Sequence, residues 1–194
     1  MSPDDLPLLG EPAPVEFANT LYFSGRTSTD FIASPSLLRL WVTHVKSDPP
    51  LPAPGPWAPP SVRAAGELRD AVRQLFEALA LGRAPPVRAL RVINQRAAAV
   101  ATHVELSPRL TAVTRSRGEA PLDTFLGRMA IDTIVLAASL KPGQLRRCGG
   151  PGCAMLFIRD RHRRQWCHES CGHRARQASY YRRKVAAQRR RARR

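Results

Sequence analysis

The sequence predicts a mainly helical chain with small β elements, an α+β protein whose C-terminal part stands apart from its body. Three observations carry that prediction. Apolar residues recur at helical spacing through four segments, while only short stretches alternate as strands do. Apolar types make up 43% of the 194 residues, enough to bury a core. Charge divides the chain: Lys141 to Arg194 holds 17 lysines and arginines against two acids, Asp160 and Glu169, out of a net charge of +16. The body before Lys141 is therefore close to neutral.

Taken in order, residues 1–13 read as a flexible leader. The run Val15-Glu-Phe-Ala-Asn-Thr-Leu-Tyr-Phe23 fits either a buried strand or the start of a helix, because nine residues are too few for the period to decide. Ser24–Ile32 reads as a polar turn region around Gly25. Ser34 then caps a helix that has Pro35 in its first position. Leu37, Leu38, Trp41, Val42 and Val45 form its apolar face. Seven prolines between Pro49 and Pro60 exclude regular structure and predict a stiff loop.

Ser61–Leu81 is a helix by its stripe of Val62, Ala65, Leu68, Val72, Leu75, Phe76 and Leu79, and Gly82 stops it. Pro85 and Pro86 open the next helix, with Val87, Leu90, Ile93, Ala97 and Val100 facing the core. The period then changes. His103–Leu106 and Leu110–Arg115 alternate and predict two strands joined by Ser107-Pro108-Arg109, ending at Gly118. Pro121–Leu140 is apolar around most of its circumference and is expected to run through the middle of the body. The body is thus expected to span 14–140 and a separate module 145–194.

All four cysteines lie in that module as two tight pairs, Cys148/Cys153 and Cys167/Cys171. Zn²⁺ in a closed structural site takes four thiolates at tetrahedral geometry, and two ligand pairs from separate elements are the usual way to supply them. Gly149, Gly150 and Gly152 let the first pair fold back on itself, through the positive φ values that glycine permits. Cys167 and Cys171, four residues apart, share one face at the start of a helix, where the dipole favours thiolate. Met155–Ile158 and Arg163–Trp166 flank Arg159–His162 and predict a hairpin between the pairs. Loop, hairpin and helix in this order make a treble-clef arrangement. A centre of four thiolates around Zn²⁺ carries a net charge of −2, which Arg146, Arg147, Arg163, Arg164 and Arg174 would offset. His162, His168 and His173 are expected outside the ligand set, since four cysteines already fill it.

Segregated charge of this kind points to an anionic partner. Arg174, Arg176, Arg182, Arg183, Lys184, Arg189 and Arg190 are the candidate nucleic-acid contacts on a long basic helix. Guanidinium forks fit phosphate and the guanine edge. Ala175, Ala178 and Val185 form the stripe expected to pack on the module, and Tyr180 and Tyr181 either touch the partner or pack. Double-stranded DNA is the expected partner, with RNA, including ribosomal RNA, as the alternative. P-loop, dinucleotide, nucleophile-elbow and metallohydrolase motifs are absent from the sequence, so no catalytic role is expected. The start is acidic and proline-broken, with no positive region leading into an apolar run, and Met129–Leu140, interrupted by Asp132, is far shorter than the ~20 apolar residues of a span. The expected location is the cytoplasm, where thiols serve as ligands in preference to disulfides.

The pattern Cys-x₄-Cys, then Phe157, then Arg163-Arg164-Gln165-Trp166-Cys167-x₃-Cys171-Gly172-His173-Arg174 resembles the CGNR zinc-finger family of bacterial proteins. Upstream, Phe17-Ala18-Asn19-Thr20-Leu21 and the leucine run ending at Trp41 are similar to the ABATE domain that precedes that finger. The resemblance covers essentially the whole chain. It implies a zinc-binding regulator of transcription. On that reading the body is expected to sense a signal or to form a homodimer, and a small-molecule effector site around Asn19 and Trp41 is one candidate. One departure stands out: the asparagine of Cys-Gly-Asn-Arg is His173 here.

Overall fold

The structure, a computed structural model, describes residues 2, 5–24, 27–48, 50–52, 55–116, 120–159 and 164–191. These form six helices and three antiparallel strand pairs, so the mainly helical class holds. The order is α1 Ala13–Asn19, β1 Leu21–Ser24, β2 Thr27–Asp30, α2 Pro35–His44, α3 Pro59–Ala80, α4 Val87–Ala98, β3 Thr102–Leu106, β4 Ala112–Ser116, α5 Pro121–Ser139, β5 Leu145–Arg147, β6 Leu156–Ile158 and α6 Glu169–Arg191. No helix among the described residues is long and apolar enough to cross a membrane.

The run from Val15 to Phe23 contains both elements that its composition allows. Prolines in the first turn start α1, and Thr20 ends it by donating its hydroxyl to Phe17 O at 2.7 Å. Residues from Leu21 pair with β2, in the register Leu21↔Asp30 to Ser24↔Thr27. Residues 27–30 are thus a strand, not a turn. Their Thr-Ser-Thr side chains face water, so no apolar alternation marks them. Residues 25 and 26 lie outside the described set.

All seven residues of α1 are buried, and α3 and α5 pack on it. Phe17 meets Trp41 at 5.4 Å between ring centroids and Phe125 edge-on at 6.0 Å. This corrects the expected place of α5. The middle of the body is α1, and the buried residues of α5 all fall from Phe125 to Thr133, among them Leu126, Met129 and Ala130, with Leu136 and Ala137 half-buried against the core. Farther along, Val135 is 63% exposed. A seven-residue helix is too short to announce itself by periodicity, whereas the long apolar α5 does so and then leaves one flank bare. The leader expected at 1–13 is also corrected, because Leu6 and Glu11 are buried.

The remaining helices follow local rules. Ser34 Oγ accepts from Leu37 N at 3.2 Å, and Leu38, Trp41 and Val42 are buried behind that cap. Trp57 anchors the proline loop against Phe125, and α3 begins at Pro59. In α4 the expected stripe holds at Ile93, Ala97 and Val100, but in the first turn Ala89 is buried while Val87 and Leu90 are exposed. Small Ala89 lets α4 approach α3 and α5 closely, which a stripe of large residues would prevent. At the same crossing, a Cβ on Gly127 would overlap Val100 Cγ2 and stand 2.6 Å from Val100 Cβ. Gly127→Ala is therefore expected to destabilise the protein by about 2–3 kcal/mol through overpacking, despite alanine's better helix propensity. Urea denaturation checks this, and a stability equal to wild type would refute the close crossing.

Strands β3 and β4 pair as expected, from Thr102↔Ser116 to Leu106↔Ala112. Gly118 lies outside the described residues. Leu145 of β5 and Leu156 of β6 belong to the same apolar core as α1, α3 and α5.

Candidate metal centre

Strands β5 and β6 pair in the register Leu145↔Ile158 to Arg147↔Leu156, and the first cysteine pair sits in the loop between them. Cys148 N donates to Met155 O at 2.8 Å, and Cys153 N to Gly150 O at 3.0 Å, which closes the loop. Gly152 turns it at φ +74°. The expected hairpin is thus corrected. Residues 156–158 pair backward with β5, because the Gly-Pro-rich loop is itself the tight turn; 164–166 is not a strand, and 160–163 lies outside the described residues. Positive φ is needed at Gly152 alone of the three glycines in this loop. Gly150 serves by its size: a Cβ there would stand 2.9 Å from Cys171 Cβ and 3.3 Å from its Sγ. Gly149 and Gly172 leave room for the Trp166 ring, which covers the module.

Cys167 lies two residues before α6 and Cys171 in its first turn, where Cys171 N donates to His168 O at 3.1 Å. The four sulfurs lie within 4.8 Å of one another and all four residues are buried. Sγ of Cys167 is 3.7 Å from that of Cys153 and 3.6 Å from that of Cys171. Tetrahedral bonds of about 2.3 Å, the length Zn²⁺ makes to thiolate, place ligand sulfurs about 3.8 Å apart, so the site fits such an ion. These cysteines are positioned to bind a metal ion.

The electrostatics point the same way. Hydrogen bonds from the Cys153 and Cys167 thiols, together with the amides of Cys167 and Gly150, hold the Cys148 thiol far below its ordinary range. Sharing those bonds, and then burial, pushes Cys153 up to about 11, and Cys167 upward as well. Thiolates this close cannot all ionise on their own, whereas a bound dication would remove that conflict. Arg174 adds positive charge by donating Nη2 to Cys171 Sγ at 3.0 Å. Arg164 stands 4.8 Å over the Phe157 ring and donates to Ile158 O and Cys167 O. Arg146 and Arg147 are exposed. His168 and His173 are exposed and stand outside the ligand cluster, and His162 and Arg163 lie outside the described residues.

The body grips this module through polar groups that sequence reading did not place. Asn19 is wholly buried and brackets Leu156: Nδ2 donates to Leu156 O at 2.9 Å, and Leu156 N donates to Oδ1 at 2.8 Å. Glu11 accepts from Ile158 N at 2.9 Å and pairs with Arg164 at 2.7 Å. Arg73, buried in α3, donates to Ala154 O at 2.9 Å as well as to Ala18 O and Leu21 O. The signal for Arg73 was present in the sequence. It follows Ala65 and Arg69 at intervals of four along the buried face of α3, and Asp30 and Glu77 balance the two arginines. The expected effector site around Asn19 and Trp41 is corrected, since both residues are fully packed by the protein itself.

Glu16 supports Glu11 from α1. Its Oε1 accepts from the amides of Leu9 at 2.7 Å and Glu11 at 2.8 Å, and burial raises its carboxyl from 4.5 to about 7 against those bonds. A folded-state value above the unfolded one means that this group's stabilisation is complete below pH 4.5 and is lost as pH rises through 7. Relative to Glu16→Gln, wild type is expected to lose about 2–3 kcal/mol between pH 5 and pH 8. Parallel stability curves for the two proteins would overturn this.

Residues 11–140 match the family ABATE, described as "Putative stress-induced transcription regulator". The chain belongs to the ABATE family. Residues 144–184 match the CGNR zinc finger, which follows the ABATE part in the chain. No protein of curated description matches the sequence. In this ABATE protein the finger's helix outruns its mount. Cys171 and Gly172 are buried, and Ala175 and Ala178 are half-buried. From Tyr180 to Arg190 every residue is exposed, including Val185, which the expected packing stripe had included. Tyr180 and Tyr181 are exposed and meet edge-on at 5.8 Å. Arg176, Arg182, Arg183, Lys184, Arg189 and Arg190 all face solvent, and Arg174 alone of the candidate contacts is held at a sulfur.

Proposed function

We propose that this protein is a zinc-binding transcriptional regulator of the cytoplasm, a binding protein rather than an enzyme, which contacts double-stranded DNA through α6. One observation carries this reading. From Tyr180 to Arg190, three turns of α6 leave the body with every residue exposed, and five of these residues, Arg182, Arg183, Lys184, Arg189 and Arg190, are cationic. Like charges crowded along an unsupported helix repel one another, and a polyanion turns that cost into attraction. A segment about 16 Å long suits a groove of duplex DNA, where arginine forks meet phosphate and guanine. The four thiolates around zinc would fix the first turn, and with it the direction of the exposed turns. The body receives a signal or pairs with a second copy.

Neutralising about six phosphates gives a log–log salt slope near −5. Anisotropy titrations of a duplex between 50 and 200 mM salt test it. Replacing Arg182 and Arg183 by alanine is expected to reduce the slope by about 2. A flat response, or no binding at low salt, would overturn the reading. The exposed Tyr180–Tyr181 pair favours a second reading, in which aromatic faces stack on unpaired RNA bases. Competition between duplex DNA and structured RNA separates the two.

A further inference from the structure

The second half of α5 leaves Ile134 and Val135 exposed. Beside it runs a groove of about 420 Å³, within the range of small-molecule sites. Ile131, Val135 and Leu136 supply its apolar lining, and the start of α1 also borders it. Four charged side chains line it, Lys46, Asp48, Arg128 and Asp132, and their formal charges cancel. Arg128 Nε is already bonded to both Asp132 oxygens, at 2.8 and 2.9 Å. Such a lining offers hydrogen bonds at its rim and no net field to attract an ion.

A second observation concerns the β3–β4 turn. Ala112, at the base of that turn, lines the groove. Two residues before it, Leu110 sits at φ +56° with its side chain 79% exposed. Leu106, the register partner of Ala112, is 69% exposed. Glycine or asparagine would hold this left-handed position with less strain, so leucine costs about 1–2 kcal/mol here. A strained leucine in water gains nothing within the chain alone, whereas over an occupied groove it gains an apolar contact.

We propose that this groove binds an uncharged amphipathic small molecule, with the β3–β4 turn closing over it as a lid. The proposal rests on the reading of the body as the signal-receiving part, but its test uses no nucleic acid, so either reading can fail alone. The zinc-loaded full-length protein is titrated with the neutral fluorophore N-phenyl-1-naphthylamine. Saturable one-to-one binding is expected. Val135→Arg is expected to weaken it about tenfold or more, and Leu110→Gly, which relieves the strained φ, about threefold or more, from the apolar contact each removes. Val87→Arg on α4, also exposed but outside the groove's lining, leaves it unchanged. Absence of saturation, or an equal loss in Val87→Arg, overturns the site. Tighter binding of anionic 1-anilinonaphthalene-8-sulfonate overturns the uncharged class. Failure to bind the neutral probe, with a dimer that Val135→Arg dissociates, assigns the face to a second copy and overturns the proposal.

Discussion

Cys171→Ser is expected to lower zinc affinity by more than ~100-fold, the upper range for losing merely a hydrogen-bond partner of a ligand. The serine hydroxyl is a poor donor to this ion and cannot reproduce the sulfur at 3.6 Å from Cys167. Arg174 would lose the sulfur to which it donates, and the first turn of α6 would lose its mount. Because a metal that binds only the folded state stabilises it by mass action, wild type at a thousandfold excess of zinc over its dissociation constant gains about 4 kcal/mol that the variant lacks. Competition with a chromophoric chelator measures the affinity, and thermal unfolding with and without EDTA measures the linkage. Unchanged metal content in the variant would refute Cys171 as a ligand.

Asn19→Ala has the next largest expected effect. It strips both partners from the main chain of Leu156, a residue with no exposed surface. Each buried group left without a partner costs about 1–3 kcal/mol, so a loss of about 3–5 kcal/mol is expected. In a chain of this length that lowers Tm by roughly 6–15 °C. Zinc stoichiometry should stay at one, which separates this variant from Cys171→Ser. Asn19→Asp is expected to fall nearly as far, since it keeps the acceptor for Leu156 N and turns a carboxylate oxygen toward Leu156 O. A Tm within 2 °C of wild type for both variants would remove Asn19 from its bracing role.

The metal centre was legible because its chemistry is local. Four sulfurs of one residue type, in pairs with short spacings, leave few alternatives, and the cluster forms as read. The helices with long stripes were legible for the same reason, as was the Ser34 cap. What escaped was decided by tertiary packing. The central helix α1 is seven residues long, below what a period can show. Polar β2 pairs without any alternation to betray it. Strand β6 chose β5 over the segment after it, because the glycine loop had already reversed the chain. Glu11 looked like part of a flexible leader and Asn19 like part of a ligand pocket. Both are instead spent on main-chain groups more than a hundred positions away, which no sequence window spans.

The bracket that Asn19, Glu11 and Arg73 place on residues 154–158 has a consequence for how such chains can be recombined. A finger cut out and fused to another protein would carry four main-chain groups, Ala154 O, Leu156 N, Leu156 O and Ile158 N, that its new neighbour would have to satisfy again. Grafts that transplant residues 144–184 alone should therefore fold poorly, while grafts that bring residues 11–19 and Arg73 with them should keep the helix aimed. The seam between the two matched segments is a seam in the sequence only, because buried hydrogen bonds cross it and tie the two into one packed unit.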